Sequence, residues 1–372
     1  MIELHERDYW LAFSCFPGIG SRRFQVLTKY FGSAKKAWKA KKDIWQKLGL
    51  GERIIQDFLF FREQFSFEKE KEKLEKHLIS FLTLIDESFP ALLKEIADPP
   101  FLLYIKGTLL DQDGKALAVV GARKITPYGR EVTEKFVSWL AIRGFTIISG
   151  LARGVDSVAH RVALGNGGRT VAILGSGLDQ VYPPEHKALA QEIIKNGALI
   201  SEYPLGMPAL RQNFPPRNRI ISGMSLGILV TEGEIKSGTK ITSRYAGEQG
   251  REVFAVPGPI TSPTSAAPSE LIKMGAKLVS SGEDILEELK LGRFDKTNKI
   301  NNREQSSRNY QPVNFNNPAE KQIWELLLTG SKHIDELVRS AGMAPAEIMS
   351  LLTLMEVSGK VKSIGNGMYM AV

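Results

Sequence analysis

The chain has 372 residues, of which 43% are hydrophobic and 24% charged, a composition typical of a globular protein with more than one domain. One cysteine, Cys15, excludes an internal disulfide and a thiolate zinc cluster, and neither a secretory signal nor a run of about 20 apolar residues is present. The net charge of +8 fits either a polyanionic partner or a merely solvated basic surface. We therefore expect a soluble cytoplasmic protein.

The first 85 residues indicate a small helical domain of the helix-hairpin-helix or SAM-like type. The segment "FPGIGSRRFQVLTKYFGSAKKAWKA" opens on Pro-Gly-Ile-Gly and then places Phe24 and Leu27 at helical spacing. A second glycine pair, Gly49 and Gly51, repeats the scheme and predicts a second hairpin. Such a hairpin can present backbone N–H groups to a phosphate, or it can be a plain packing unit, and the sequence leaves both open.

Residues 86–290 predict a doubly wound α/β domain of Rossmann type. Short apolar runs that end at glycine alternate with longer helical segments, which is typical of a parallel sheet covered by helices on both faces. The predicted strands lie in "ALAVVGAR", "FTIISGLARG", "TVAILGSG", "GALISEYP", "LGILVTEG" and "REVFAVPG". Ligands of such folds bind outside the carboxyl ends of the strands, where the strand order reverses.

The last part of the chain predicts a linker and a winged helix. Residues 291–314 are polar and rich in asparagine, without periodicity, and are predicted to be flexible. Residues 315–372 offer three amphipathic helices followed by a hairpin around Gly365-Asn366-Gly367. This segment has 5 Lys and Arg against 6 Asp and Glu, a balance that disfavours strong duplex binding and leaves a protein-contact role open.

The first predicted strand is followed by an anion-binding pattern. In "VVGARKITPYGRE", Gly121 ends the strand and a helix begins near Thr126, so backbone N–H donors and the Arg123 and Lys124 side chains lie together. The dinucleotide fingerprint and its acidic partner are absent, so we expect no nicotinamide cofactor and no cofactor of another kind. A loop glycine beside a solvated arginine is the plain alternative.

The second predicted strand is followed by Arg153, Asp156 and His160, in "SGLARGVDSVAH". Asp156 and His160 are four residues apart and share a helical face, but one carboxylate and one imidazole are too few ligands for a metal site. We predict that Asp156 is structural, that Arg153 is a further cation at the strand ends, and that no metal is bound.

The later predicted strand ends add cations and an aromatic ring. Cations that hold the backbone and a ring that stacks on bases are what a single-stranded nucleic acid requires. The candidate residues in these segments are Lys187, Arg211, Phe214, Arg217, Asn218, Arg219 and Lys240. In "FPPRNRII" we expect Arg217 and Arg219 to meet phosphates while Ile220 and Ile221 anchor the segment in the core, although Phe214 fits a core position equally well.

Seven ordered blocks resemble the DNA processing protein A (DprA/Smf) family of bacterial natural transformation. They are "GARKITPYG", "SGLARGVDSVAH", "LGSGLDQVYP", "SEYPLGMP", "FPPRNRIISG", "SGTKIT" and "REVFAVPG". The resemblance implies a non-catalytic protein that binds incoming single-stranded DNA, forms a homodimer and loads the RecA recombinase while displacing single-strand binding protein.

The resemblance also implies particular site residues. Arg123, Arg211, Phe214, Arg217 and Arg219 would line the DNA pocket, with the lysines of the later segments as further members. The sequence departs from the family pattern in "VTEGEIKSGTKIT" and in "TSAAPSELIKMGA", and the second segment lies near the region that the family uses for dimer contact.

Two other functions remain as alternatives. The loop "SGTKITSR" echoes that of Rossmann-type nucleotide phosphoribohydrolases, but Thr242 stands where those enzymes have a glutamate, and no nucleophile with its base appears elsewhere. A transcription regulator acting through the winged helix is the third possibility, and the acidic balance of residues 315–372 counts against it.

Overall fold

A computed structural model describes residues 4–235, 238–291, 315, 317–328, 332–365 and 367–371. The chain divides into two compact units, Met1–Arg293 and Phe294–Val372. Among the helices described, none combines the length and apolar composition that crossing a bilayer requires. The predicted linker lies almost wholly outside the described residues, as does Asn366 of the predicted turn. The predicted domain boundaries stay predictions.

The first unit is built on one nine-stranded sheet in the order β1-β2-β6-β5-β4-β3-β7-β8-β9. Its strands are β1 (Ser80–Thr83), β2 (Leu102–Gly107), β3 (Ala116–Val120), β4 (Thr146–Ser149), β5 (Thr170–Ile173), β6 (Gly197–Ser201), β7 (Gly227–Val230), β8 (Glu252–Ala255) and β9 (Lys277–Leu278). Strands β3 to β9 pair in parallel, whereas β1 and β2 are antiparallel to their neighbours. All six predicted strands are confirmed, and β1, β2 and β9 are additions.

The strand order reverses beside β3. The chain runs outward from β3 through β4 and β5 to β6, and then returns to place β7 on the other side of β3. In a doubly wound sheet this reversal opens a crevice at the carboxyl ends of the two strands that meet there, which are β3 and β7. This crevice is the position where the fold type ordinarily binds its ligand.

Helices cover both faces of the sheet, as the prediction of a doubly wound fold requires. The helices of the first unit are α1 (Glu6–Ser14), α2 (Ser21–Phe31), α3 (Ala34–Lys39), α4 (Lys42–Gln46), α5 (Glu52–Gln64), α6 (Phe67–Lys76), α7 (Ala91–Lys94), α8 (Pro127–Ile142), α9 (Val155–Gly165), α10 (Lys187–Lys195), α11 (Phe214–Gly223), α12 (Gly238–Glu248), α13 (Ala266–Lys273) and α14 (Gly282–Glu288). One hydrophobic cluster joins α7, α11, α12 and α13 to the sheet, and another joins α8, α9 and α14 to its opposite face.

The N-terminal helices share a core with the edge of the sheet. Helices α1 and α2 flank the first predicted glycine turn and α4 and α5 flank the second, and the interior of this helical segment is dominated by aromatic rings. Phe13 and Phe58, for example, stack with ring centroids 5.2 Å apart. The same hydrophobic cluster continues into Leu102 and Tyr104 of β2. The helical segment is therefore packed on the sheet within the first unit.

The second unit is a winged helix, as predicted. It contains α15 (Pro318–Leu328), α16 (Ile334–Ala341), α17 (Pro345–Val357) and a sheet of β10 (Lys332–His333), β11 (Val361–Gly365) and β12 (Met368–Ala371) in the order β10-β12-β11. Its core gathers residues of all three helices around Ile323, Leu337 and Leu352, each fully buried. The charges that α17 carries are two carboxylates, Glu347 and Glu356, so this helix lacks the cations that duplex binding would require.

Candidate nucleic-acid interface

All the sequence-predicted residues except Lys240 lie on or beside the loops at the carboxyl ends of β3 to β6. We call this region the strand-end surface and define it as residues 121–126, 150–154, 174–187 and 202–219. In a parallel sheet all strand ends of one kind meet at the same edge, which explains why segments nearly 100 residues apart in sequence come together here. Several contacts tie these loops to one another, and each places a candidate side chain.

The crevice between β3 and β7 is filled by the side chain of Glu232, which is 2% exposed. One carboxylate oxygen accepts from the Thr126 N–H at 3.0 Å, and the other accepts from the hydroxyls of Thr126 at 2.5 Å and of Thr264 at 2.9 Å. Thr126 is also the N-cap of α8 and accepts from the Gly129 N–H. A Cβ at Gly129 would collide with the Glu232 carboxylate in its present position, so glycine here lets that carboxylate reach the start of α8. The protein thus supplies its own anion at the start of α8.

Arg217 lies beneath the strand-end surface and is only 4% exposed. Its guanidinium donates to the Ile173 carbonyl at the end of β5 and packs against Gly150. Burial lowers the pKa of Arg217 to about 10; the Asp156 carboxylate opposes this shift and the charge of Arg123 adds to it. Arg217 is therefore still charged at neutral pH, but it offers little surface to a ligand.

Asp156 holds the loop that follows β4, in agreement with its predicted structural role. Its carboxylate accepts from the backbone N–H groups of Gly150 at 3.1 Å and Ala152 at 3.3 Å. Burial raises the pKa of Asp156, and the nearby Arg217 guanidinium counteracts the rise. The two backbone hydrogen bonds of Asp156 therefore hold the loop after β4 in place, and the charge of Arg217 helps to keep the carboxylate ionised.

Arg219 was expected to meet a phosphate, but its side chain is buried in an ion pair. Its guanidinium forms two hydrogen bonds with Glu202, at 2.9 and 2.7 Å, and two more with the carbonyls of Asp98 and Pro216. The arginine side chain is 7% exposed and that of Glu202 is 16% exposed. Burial lowers the pKa of Arg219, but the Glu202 carboxylate outweighs this and the net shift is upward. A phosphate contact at Arg219 would require this buried pair to break, so the geometry argues against that contact.

Helix α11 carries the anchors that were expected of it. Ile220 and Ile221 are 0% and 2% exposed and belong to the hydrophobic cluster on one face of the sheet. Asn218, between the two buried arginines, is half-buried. The chain therefore directs Arg217 and Arg219 inward along with the isoleucines.

Two aromatic rings lie together on the strand-end surface. Phe214 is half-buried at the start of α11, and its ring centroid is 5.7 Å from that of Tyr182, with a tilt of 51°. A Cβ at Gly175 would approach the Phe214 ring to 3.2 Å, so the glycine lets that ring settle on the loop after β5. The preceding Asn213 donates its amide to the Gly175 carbonyl at 3.1 Å and fixes the same contact.

Four predicted cations are exposed on or beside the loops of this surface: Arg123, Lys124, Lys187 and Arg211. Arg123 and Lys124 follow β3, Lys187 begins α10, and Arg211 precedes Phe214 by three residues. Within the part of the chain that the structure describes, none of these four forms an ion pair with an acidic side chain. The cationic groups of these four side chains are therefore open to solvent and to a ligand, whereas those of Arg217 and Arg219 are buried.

Arg153 and Lys240 are exposed or half-exposed but paired. Arg153 donates to Glu185 at 2.5 Å, and the two side chains are 56% and 48% exposed. Lys240 donates to Glu270 of α13 at 2.8 Å, on the β7–β8 side of the sheet and apart from the loops after β5 and β6. Gly121 lies half-buried at the end of β3, against Val155.

The buried histidine near this surface is structural in its contacts. Thr170 donates its hydroxyl to the Ile147 carbonyl, so the 2.6 Å contact between His160 Nδ1 and Thr170 Oγ1 makes the histidine the donor. Burial lowers the pKa of His160 to about 3, and the positive charges of neighbouring groups act in the same direction. His160 is therefore neutral, and no cluster of three or more potential metal ligands occurs among the residues described.

The acidic residues of this region were not predicted from the sequence. Glu185, Glu202 and Glu232 each follow a strand and each accepts from a candidate cation or a helix start. Their position in the sequence could have indicated them, because all three glutamates lie within or beside the glycine-rich segments that follow the predicted strands. Thr242, at the position of the enzyme glutamate, is 2% exposed and donates to the Gly238 carbonyl of its own helix.

The fold and the strand-end surface together define a Rossmann-type protein without a dinucleotide site, extended by a helical segment and a winged helix. Residues 80–290 match the family model described as DNA recombination-mediator protein A, and residues 310–367 match the model described as DprA winged helix domain. The chain belongs to the DprA/Smf family, which confirms the resemblance predicted from the sequence.

Relatives support this membership over most of the chain. Protein Smf of Escherichia coli is 39% identical over 343 residues, which cover 89% of this chain and 88% of that protein. DNA processing protein DprA of Streptococcus pneumoniae is 38% identical over 270 residues, or 68% of this chain and 95% of that protein.

Solved structures agree with the fold. The X-ray structure of DprA from S. pneumoniae has a TM-score of 0.65 and 35% identity, and the match covers 77% of this chain and 99% of that one. A structure of DNA processing protein A from Helicobacter pylori, reported for its single-stranded DNA binding mode, has a TM-score of 0.52 and 29% identity, with coverage of 57% and 96%.

Proposed function

We propose that this protein is a cytoplasmic recombination mediator that binds single-stranded DNA on the strand-end surface and loads RecA onto it during DNA uptake. The observation that carries the proposal is that the strand-end surface presents four exposed cations, none of them ion-paired within the described residues, together with two aromatic rings. These are Arg123, Lys124, Lys187 and Arg211, with the rings of Tyr182 and Phe214. The H. pylori relative, with its single-stranded DNA binding mode, supports the choice of ligand.

The chemistry favours an unpaired strand over a duplex. Cations attract any polynucleotide backbone, but an aromatic ring stacks only on a base whose face is accessible, which a duplex does not provide. The contribution of the rings depends little on base identity, because every base has a π face. We therefore expect binding with little sequence preference and with a marked dependence on salt.

The DNA-binding part is tested by charge reversal with a matched control. R123E/R211E removes two exposed cations of the strand-end surface, whereas K135E/K195E makes the same change in net charge at exposed positions in the body of α8 and at the end of α10. On a single strand we expect the first pair to weaken binding strongly and to reduce the salt slope by about 0.7 for each phosphate that the protein no longer neutralises. Equal effects of the two pairs would refute the assignment.

The mediator part is tested with RecA and single-strand binding protein. On a strand covered with single-strand binding protein, the wild-type chain should shorten the lag before RecA hydrolyses ATP, and R123E/R211E should not. The family model for residues 80–290, whose description is a recombination mediator, supports this part of the proposal. A lag that the wild-type chain leaves unchanged would limit the function to DNA binding.

We further propose a homodimer formed through the β9 edge of the sheet. Among the described strands β9 lies at the edge of the sheet, and Leu278 within it and Met274 three residues before it are 46% and 72% exposed. Exposed apolar groups beside an unpaired strand favour association with a second strand edge. Light scattering should give a dimer for the wild type and a monomer for M274E/L278E, and a wild-type monomer would contradict the proposal.

A further inference from the structure

Tyr182 combines an exposed ring with a fixed backbone. The ring is 43% exposed, although the loop on either side of it is held by several contacts. On one side Ser176 donates its hydroxyl to the Gln180 carbonyl at 2.6 Å. On the other side Pro183 is buried, and the buried His186 contacts the Leu151 carbonyl through Nδ1 at 2.9 Å. An aromatic side chain in this position reaches solvent while its backbone stays ordered.

The contact with Phe214 supports Tyr182 from one side. Phe214 is the more buried ring, since it rests on Gly175 and has the Arg217 guanidinium 5.9 Å from its centroid. The tilt of 51° between the two rings means that they are not stacked face to face. Phe214 therefore orients Tyr182 without covering a face of it by parallel stacking.

Charged groups surround the exposed ring in a way that suits a nucleotide. Arg153 pairs with Glu185, which raises the pKa of the arginine, and the nearby Tyr182 hydroxyl adds to this rise. The Tyr182 ring therefore lies near a cation of the loop after β4. Lys187 follows five residues later in the chain, at the start of α10. A base on Tyr182 would thus have its phosphates within the region of these cations, as in other single-strand binding surfaces.

We propose that Tyr182 is a base-stacking residue of the strand-end surface and that Phe214 is mainly its support. This inference rests on the proposed function, because it assumes that single-stranded DNA binds here. It extends that function by naming a second aromatic residue, outside the predicted site, as the one that meets a nucleobase. The hydroxyl of Tyr182 is not required for stacking, whereas the π face is.

The test compares two ligands and four variants, which are F214L, in which the Phe214 ring is removed, and three tyrosine variants. The ligands are an oligothymidylate and an abasic deoxyribose-phosphate strand of the same length, with affinity measured by fluorescence anisotropy. Y182L keeps an apolar side chain against Phe214 without a π face, Y182F keeps the face without the hydroxyl, and Y30A removes a control tyrosine that is 52% exposed on α2. Thermal melts of all variants establish that the fold is retained.

We expect Y182L to weaken binding of the oligothymidylate by about 5- to 160-fold, the range for one stacked base, and to leave binding of the abasic strand unchanged. Y182F and Y30A should behave as the wild type on both ligands. Weakening by the same factor on both strands would overturn the inference by showing a structural role. Unchanged binding of Y182L to both strands would overturn it as well, and an oligothymidylate-specific loss in F214L alone would assign the stacking to Phe214.

Binding of the wild-type chain to the two strands distinguishes a failure of Tyr182 stacking from a failure of the proposed function. If the wild-type chain binds neither strand, the proposed function itself is wrong and the inference falls with it. If the wild type binds both strands equally well, cations alone hold the DNA, so the proposed function stands and stacking on Tyr182 is excluded.

Discussion

Substitution of Arg219 by alanine should destabilise the protein without removing DNA affinity. The guanidinium makes four hydrogen bonds, two of them to Glu202, and both side chains of the pair are largely buried. Removing one partner of a buried ion pair leaves the other uncompensated and costs about 3–5 kcal/mol. At roughly 2 °C or more per kcal/mol for a unit of this size, the melting temperature should fall by roughly 6–10 °C.

The double variant R219M/E202L and the single variant R211A complete the measurement. Apolar side chains in place of both charges should recover most of the stability, because no charge is left buried. R211A removes an exposed cation, so its unfolding free energy should stay within about 0.5 kcal/mol of the wild type while its affinity for single-stranded DNA falls. Calorimetry and anisotropy at low temperature separate the two effects. An R219A protein with unchanged stability and no DNA affinity would refute the structural role of Arg219.

Two further predictions concern the groups around the strand-end surface. E185Q should release Arg153 from its ion pair, so affinity for single-stranded DNA should rise and the salt slope should steepen by about 0.7; unchanged affinity and slope would count against Arg153 as a phosphate contact. His160 has a folded-state pKa of about 3 and an unfolded value near 6.5, so its contribution to stability is present above about pH 6.5 and is lost as the pH falls. Urea unfolding should show a loss of about 2 kcal/mol from this group by about pH 5 that H160Q lacks, and equal losses in both proteins would contradict the reasoning.

The parallel part of the sheet was predictable because its signal is local. Buried strands such as β5 and β7 are continuous apolar runs in the sequence, and the helices between the strands show apolar residues at helical spacing. Strands β1, β2 and β9 were not predicted. Strand β2 pairs with β6 about 95 residues later, and β9 contains only Lys277 and Leu278, both exposed, so neither partner nor burial can be inferred from the local pattern.

The candidate site was predictable to the level of segments but not of side-chain directions. Glycines and cations at strand ends indicate an anion-binding edge, and Arg123 and Arg211 are exposed there. The segment "FPPRNRII" gave no sign that Arg219 turns inward, because its partner Glu202 is 17 residues away on the loop after β6. Such a pair depends on where helix α11 packs on the sheet, which is a property of the tertiary structure.

The carboxylate of Glu232 has a consequence for selectivity inside a cell. Rossmann-type folds offer the start of their first helix to the phosphates of mononucleotides and dinucleotides, which are abundant metabolites. Here that position already holds a negative charge, bonded to Thr126 and Thr264, so a metabolite phosphate would meet repulsion and find its donors occupied. We therefore expect this position to bind ATP and nicotinamide coenzymes poorly, whereas a polyanion that extends over the neighbouring strand ends would reach the exposed cations there.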